Sequence, residues 1–540
     1  MKVACVQIES YDLAHAEDGL QRALEMIDDA AAGGADLIVL PECSYPAYFL
    51  RGRDDYSGAP LRPWKDLVAL LGGKAREHRC HVVAGLVRPE EDRTCLLNIA
   101  VLFGPDGNIL GSAAKSFLWH FDRHWFRRGT EYPVFDTSIG RIGLMICADG
   151  RMPEIARTLA LQGAQVIVDP TGLVTGGGNR ATLSNPQVEY MLPVRALENG
   201  VWIVAANKVG LEADTILYCG RSCVIDPLGN KVVVGSTHRE EVILCDIALS
   251  GTPHIPVSRC PAAYRMIVES AESQPIVRLL HEAVVPEETV VRMAALQLSD
   301  RTSAEGYLIR VRELLDTLSR QDVQFVVLPG EVPEDADGDV VQSSQTLRRL
   351  AEMSAHFGCG MASALTEYEG SSRYRTCFVW DCGQLVGKYR KVHQADEGFM
   401  AGDELCVLET RYGRLGLMLD EEALVPEVPR CLMLKGADTL LWPARPSRWP
   451  LRMLARARAD ENKVYVLLAT PVGGGAALVN SAGVMMAAGL PDVEQAIAAQ
   501  VAWVNSRHKE MAPSTHVVWG RIPGAYRRLV EHSPPGVSSP

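Results

Sequence analysis

The chain carries one ordered set of sequence blocks twice, about half its length apart, a spacing far longer than the period of any solenoid or propeller. Two like domains follow from it. The first copy opens with Val3-Ala4-Cys5-Val6-Gln7 and the second with Met293-Ala294-Ala295-Leu296-Gln297, both reading as short buried strands. Ala35-DLIVLP-Glu42 then matches Val323-QFVVLP-Gly330, and Gly140-RIGLMICADGRMPE matches Gly413-RLGLMLDEEALVPE. Arg195-ALENGVWIVAAN runs against Arg456-ARADENKVYVLLAT, and Arg259-CPAAYRMIVES against Arg521-IPGAYRRLVEHS.

Within each copy strands alternate with amphipathic helical stretches, which predicts an α/β class with helices packed over sheets. Residues 271–290 hold two prolines and several acids and read as a connector with one or two helical turns. The expected organisation is a first domain over 1–270, a linker over 271–290 and a second domain over 291–535.

Composition excludes several classes. A net charge of −12 argues against nucleic-acid binding, which needs a clustered basic face. No apolar run approaches the length of a membrane span, and the N-terminus reads as a strand rather than an export signal. The 14 cysteines are scattered, without a Cys-x-x-Cys pair or a zinc-like Cys/His cluster, which predicts a reducing, cytoplasmic setting. Cys5, Cys223 and Cys245 lie in apolar runs, as small buried hydrophobes do.

Three residues of the first copy stand where side chains from separate runs can converge. Glu42 ends LIVLPE, Lys115 follows a hairpin-like stretch turning at Pro105-Asp106-Gly107, and Cys147 ends GRIGLMIC. After Cys147, Ala148-Asp149-Gly150 leads to Pro153 and a helix, so the cysteine sits at a strand-to-helix elbow. A helix N-terminus and a cationic lysine nearby would favour its thiolate. Glu42 would move protons and Lys115 would stabilise the oxyanion formed when sulfur attacks a carbonyl or nitrile carbon, with no metal or cofactor. Spacing alone leaves the structural alternative open: a strand-end Cys is commonly structural, and a loop Glu or Lys commonly solvated.

The ordered set of LPE, a Lys after GxxxxK, GxIGLMICxDxRxPE and RAxENxxxVVAAN resembles the nitrilase superfamily of carbon–nitrogen hydrolases over nearly all of residues 1–270. The resemblance implies two tandem αββα sandwich domains, of which the first carries a Glu-Lys-Cys triad at Glu42, Lys115 and Cys147. Many relatives carry a further Glu after the lysine, where this chain has Asp122 in HFDRHWFRRG. That position implies a second proton carrier or an orienter of Lys115; the alternative is a surface loop acid. The run CADGRMPEIAR looks more like amidases and formamidases than true nitrilases, which follow the cysteine with Trp and Glu. The substrate expected is a small amide, with N-carbamoyl compounds and nitriles as alternatives. An acyltransferase using the same thioester, or a non-catalytic binding protein, are the readings of another class.

Pocket walls in α/β folds gather at strand ends, which points to Trp119, His124, Trp125, Ala148 and Thr171 as substrate contacts. His120 and His124 are four apart but lack further ligands for zinc. Gly176–Gly178 and Gly473–Gly475 lack the strand-GxGxxG-helix context and read as loops.

In the second copy Asp420 falls at the place of Cys147 and Gly330 at that of Glu42, although a one-residue slip would bring in Glu331; Lys391 matches Lys115. This copy is expected to be catalytically inert. Nitrilase-type protomers resemble one another in pairing, so the two domains are expected to form an intrachain pseudo-dimer, with further homo-oligomerisation left open.

Overall fold

Alternation within the first strand decides the layers. In a computed structural model, β1 (Lys2–Glu9) turns Val3 and Cys5 to one face of its sheet and Ala4, Val6 and Ile8 to the other, and all five are buried. A strand covered on both faces reads as a near-continuous apolar run. The structure describes every residue except 91–94, 250, 252–254, 283–288, 300–302, 331, 333–339, 394–397 and 532–540, and not the side chains of 53 and 340–344.

Two compact units divide the chain. The first is Met1–Pro256 with Ala512–Thr515 and the described residues from Gly520 on; the second is Val257–Met511 with His516–Trp519. These limits differ from the repeat boundaries: the connector falls in the second unit, and Ala512–Thr515 falls in the first. The closing block of each copy, 259–268 in one and 521–530 in the other, belongs to the unit built by the opposite copy.

In the first unit β1 lies between β2 (Leu37–Val39) and β10 (Lys208–Glu212), parallel to both. The sheet continues through β3 (His81–Pro89), β4 (Leu96–Phe103) and β5 (Ile109–Ala114) on one side, and ends at β11 (Ile216–Cys219) on the other. A second sheet runs β13-β12-β9-β8-β7-β6, built from β6 (Val134–Thr137), β7 (Gly140–Leu144), β8 (Val166–Pro170), β9 (Trp202–Ala206), β12 (Cys223–Ile225) and β13 (Lys231–Val234). Val3, Cys5, Leu37 and Val39 of the first sheet meet Ile142, Leu144, Val166 and Val168 of the second in a buried inter-sheet core. On the outer face of the first sheet pack α1 (Ala16–Ala32), through Leu20, Ala23, Leu24 and Ile27, and α3 (Trp64–His78), through Leu67, Leu71 and Ala75. Helices α5 (Pro153–Leu161) and α6 (Leu192–Asn199) cover the second sheet, which completes an αββα sandwich. Short α2 (Arg53–Gly58) and α4 (Asp122–Trp125) lie in connections.

The second unit repeats this plan. Strands Gln384–Arg390, Ser372–Asp381, Gly360–Glu369, Phe325–Val327 and Val290–Leu298 match the first sheet, and Tyr465–Pro471, Thr439–Pro443, Gly413–Leu417 and Val407–Thr410 match the second, but here the two are joined into one continuous sheet where Val290–Leu298 pairs with Tyr465–Pro471. Helix Ala304–Ser319 buries Tyr307, Leu308, Val311 and Leu315 against Ala294, Leu296 and Val326. The connector holds one short helix, Pro275–His281. Arg195 pairs with Glu198 at 2.6 Å, and its counterpart is Arg458, which pairs with Glu461 at 2.6 Å. The two-residue offset from Arg456 arises because the second copy repeats Arg-Ala at 456–457 and 458–459, and it is Arg458-Ala-Asp-Glu-Asn that matches Arg195-Ala-Leu-Glu-Asn.

The exchanged blocks make equivalent contacts. In the first unit Arg521 Nε lies 3.4 Å from Glu154 and Tyr526 stacks on Tyr132 with ring centroids 6.0 Å apart. In the second, Arg259 Nε lies 3.2 Å from Glu427 and Tyr264 stacks on His393 at 5.7 Å.

Candidate active site

Glu42 follows β2 through Leu40 and Pro41, and its amide donates to the carbonyl of Thr171 at 3.3 Å. The turn is held by close packing: a Cβ on Gly85 of β3 would lie 2.7 Å from the Cα of Glu42. Only glycine leaves room for that approach. The carboxylate is 1% exposed, and its Oε1 accepts from Asn98 Nδ2 at 2.6 Å and Lys115 Nζ at 2.7 Å.

Lys115 leaves the hairpin of β4 and β5 with its amide on the carbonyl of Asn98 at 2.8 Å. Its ammonium lies 2.7 Å from Glu42 and 2.7 Å from Asp122, all three side chains at most 1% exposed. Burial opposes the charge, but the two carboxylates outweigh it and hold the lysine well above its ordinary pKa. Asp122 opens α4 and its Oδ2 also accepts from the Trp119 amide at 2.7 Å. It is a buried partner of Lys115 and not a surface acid. Burial raises its pKa, while Lys115 works in the opposite direction.

Cys147 sits at the elbow expected of it, with φ of +49° in a 3-10 turn, Cys147–Arg151, leading into α5. Its amide donates to Asp169 Oδ1 at 2.6 Å, and its carbonyl accepts from Gln187 Nε2 at 2.7 Å. Asp149 ties the elbow to the Lys115 strand end: its carboxylate accepts from the amides of Ile146, Ser116 and Phe117 at 3.1, 3.1 and 2.7 Å.

The expectation of a resting thiolate is corrected here. Burial, and then the Glu42 carboxylate, push the Cys147 thiol well up, against Lys115 and the hydroxyl of Thr171, which favour the anion. Desolvation of a fully buried sulfur outweighs one cation already neutralised by two carboxylates. Burial thus favours the neutral thiol at Cys147 over the thiolate.

Thr171, buried beside the sulfur, joins Glu42, Lys115, Asp122 and Cys147. Ala148 is buried in the turn, and the Trp119 ring lies 4.5 Å from the Arg151 guanidinium. His124 is exposed. Trp125 packs among Tyr48, Phe49, Phe121 and Phe126 and lines a cavity of about 400 Å³ with Tyr45, Leu61 and Trp64. The sequence reading missed Asn98, Asp169 and Gln187, which touch Glu42 or the Cys147 backbone. Their types carry no motif; strand register places Asn98 and Asp169, and the helical segment Gln187–Met191 places Gln187.

The catalytic correspondence of the repeats holds in three dimensions. Lys391 N donates to Arg375 O at 2.8 Å as Lys115 does to Asn98; Gly330 N donates to Ala444 O at 3.0 Å as Glu42 does to Thr171. Asp420 has the φ of Cys147, +49°. Glu331 lies outside the described residues.

With these features in view the family can be stated. The carbon–nitrogen hydrolase family model matches residues 2–255 and again 292–505, and the chain belongs to that family as a tandem duplication. It is a carbon–nitrogen hydrolase of the nitrilase and amidase type. It is 34% identical over 251 residues to a nitrilase of Pyrococcus abyssi, covering 46% of this chain and 90% of that protein. It is 31% identical over 241 residues to an omega-amidase of Xenopus laevis, covering 43% of this chain and 83% of that one. Among solved structures, an amidase from Nesterenkonia sp. AN1 is 26% identical, with a TM-score of 0.39, covering 46% of this chain and 93% of that one.

Proposed function

We propose that the first unit hydrolyses a small amide through a thioester on Cys147. The observation that carries this is the Lys115 ammonium held at 2.7 Å by both Glu42 and Asp122, beside a cysteine at a positive-φ elbow. Glu42 takes the thiol proton as sulfur adds to the carbonyl carbon, and Lys115 stabilises the oxyanion. When the tetrahedral adduct collapses, the C–N bond breaks and the proton on Glu42 leaves with the amine. Water then loses a proton to Glu42 and attacks the thioester, which releases the acid and the thiol. Asp122 keeps Lys115 charged and oriented while Glu42 changes protonation.

The omega-amidase relatives and the CADGRMPE run support an amide substrate; the nitrilase relative supports a nitrile as second reading. The test is intact-mass spectrometry of the chain incubated with short aliphatic amides, N-carbamoyl amino acids and nitriles. An acyl adduct on Cys147 with ammonia release from amides supports the proposal, and its absence with all three overturns it. A nitrile-specific adduct favours the second reading.

In the same reading the second unit is inert and its part is structural: its copy supplies Ala512–Thr515 and the segment from Gly520 that complete the first unit. Among the described residues no helix is long and apolar enough to cross a membrane. All 14 cysteines are free, which supports a cytoplasmic setting.

A further inference from the structure

The pocket that lost its chemistry has changed the sign of what it lacks. Around Cys147, the buried polar atoms without a partner among the described residues include the acceptors Glu42 Oε2, Asn98 Oδ1, Asp122 Oδ1 and Asp169 Oδ2, beside the Thr171 hydroxyl, which can also donate. At the equivalent place in the second unit they are donors, Nη1 and Nη2 of Arg375, a side chain with 0% exposure. Arg375 stands where Asn98 stands in the first unit, by the shared bond from the following lysine. Buried donors of a charged group left unsatisfied are costly, and such groups occur where something is meant to meet them.

The charges agree. One cation between two carboxylates has become three cations around two. Asp420 Oδ2 lies 3.2 Å from Arg375 Nε, 3.7 Å from Lys391 Nζ and 3.7 Å from Arg445 Nε, while Lys391 also lies 2.5 Å from Glu421. The cations hold Asp420 ionised, its pKa lowered despite burial. Asp420 occupies only the Nε of Arg375, which leaves the Nη1–Nη2 edge, whose spacing matches the two oxygens of a carboxylate. In the first unit the corresponding Asn98 amide meets the carboxylate of Glu42. In the second, no side chain can grow from residue 330, because a Cβ there would lie 2.5 Å from Ala444 O and Arg445 N. Among the described residues no side chain puts a carboxylate on that edge. The Arg445 and Glu421 side chains are 23% and 22% exposed, so the edge of this cluster meets solvent.

We propose that the degenerate pocket of the second unit binds a small monocarboxylate, held end-on by Arg375 in the place of the lost glutamate. The site is separate from the triad and does not depend on the first unit's substrate.

Equilibrium dialysis of the full chain against radiolabelled acetate, at constant ionic strength, tests this. Wild type and a Cys147→Ala/Lys115→Ala chain should both bind acetate. Arg375→Gln and Arg375→Lys should each weaken binding about tenfold or more, since a charge-assisted pair is lost in one and the planar edge in the other. The amidase rate of the single Arg375 variants should stay at the wild-type value. Absence of acetate binding, unchanged affinity in folded Arg375→Lys, or preference for inorganic phosphate over acetate overturns the proposal.

Discussion

Lys115 holds two carboxylates on one ammonium, and the two partners differ in what they do during turnover. In the proposed mechanism Glu42 gains and loses a proton, whereas Asp122 only has to remain an anion. Lys115→Ala should lower kcat about a hundredfold to a thousandfold with little change in KM, the cost of one oxyanion donor. Glu42→Gln should do at least as much, and the double variant little more than the worse single one, because members of one catalytic unit are non-additive. Asp122→Asn should cost less than Lys115→Ala. Steady-state kinetics with the best amide check all four, and a pure KM effect would recast these residues as substrate binders. The raised pKa of Cys147 gives a second expectation. A group whose protonated form is favoured has less thiolate at neutral pH than a free cysteine, so alkylation by iodoacetamide should be slow at pH 7. It should rise with pH beyond the ordinary thiol range, and in Glu42→Gln, which removes one cause of the raised pKa, that rise should move to lower pH. Peptide mass spectrometry resolves Cys147 from the other thiols. Fast alkylation at pH 7 would restore the thiolate reading.

The turn that carries Glu42 is held by strand β3 passing close beneath it, so the element is sensitive to a single methyl group. Gly85→Ala, whose Cβ would meet the Glu42 backbone, should cost about 1–3 kcal/mol in chemical denaturation and lower kcat by shifting the carboxylate. Unchanged stability and rate would show that the approach is looser than described. The same local crowding at 330 bars the reverse experiment. In a Cys147→Ala chain, Asp420→Cys with Gly330→Glu should regain no amidase activity, and measurable turnover would mean that the second pocket has kept its shape. This contrast shows what the sequence could tell. Glu42, Lys115 and Cys147 were legible because each ends a strand-like run inside a block that the second copy repeats, and Lys391 and Asp420 were legible by the same alignment. Burial of Asp122 was not, since a short acid in a polar loop looks solvated until the loop is seen folded over Lys115. The thiol state was misread because a motif shows nearby charge but not the desolvation that outweighs it. Asn98 and Asp169 reach the site through strand register, which no local pattern encodes.

Across the chain, the reciprocal exchange of closing blocks was invisible for a plain reason: the two blocks share the same Arg-x-Pro-x-Ala-Tyr-Arg pattern, so either could serve either unit. The exchange matters for the site. The His120 amide donates to Thr515 Oγ1 at 2.8 Å, and Arg128 donates to the carbonyl of Gly520, so the loop bearing Asp122 is braced at both ends by the last part of the chain. Residues 1–275 expressed alone should therefore lose most activity, and adding 285–540 in trans should restore it. Tyr526→Ala in the full chain, which removes the stack on Tyr132, should lower thermal stability and activity together. A soluble, fully active 1–275 fragment would sink this account. The braces also set a clock. Thr515 and Gly520 are translated after most of the second copy, so the loop bearing Asp122 waits through that synthesis before its supports exist. A chain released in that interval carries Glu42, Lys115 and Cys147 in a unit that still lacks Ala512–Thr515 and the segment from Gly520.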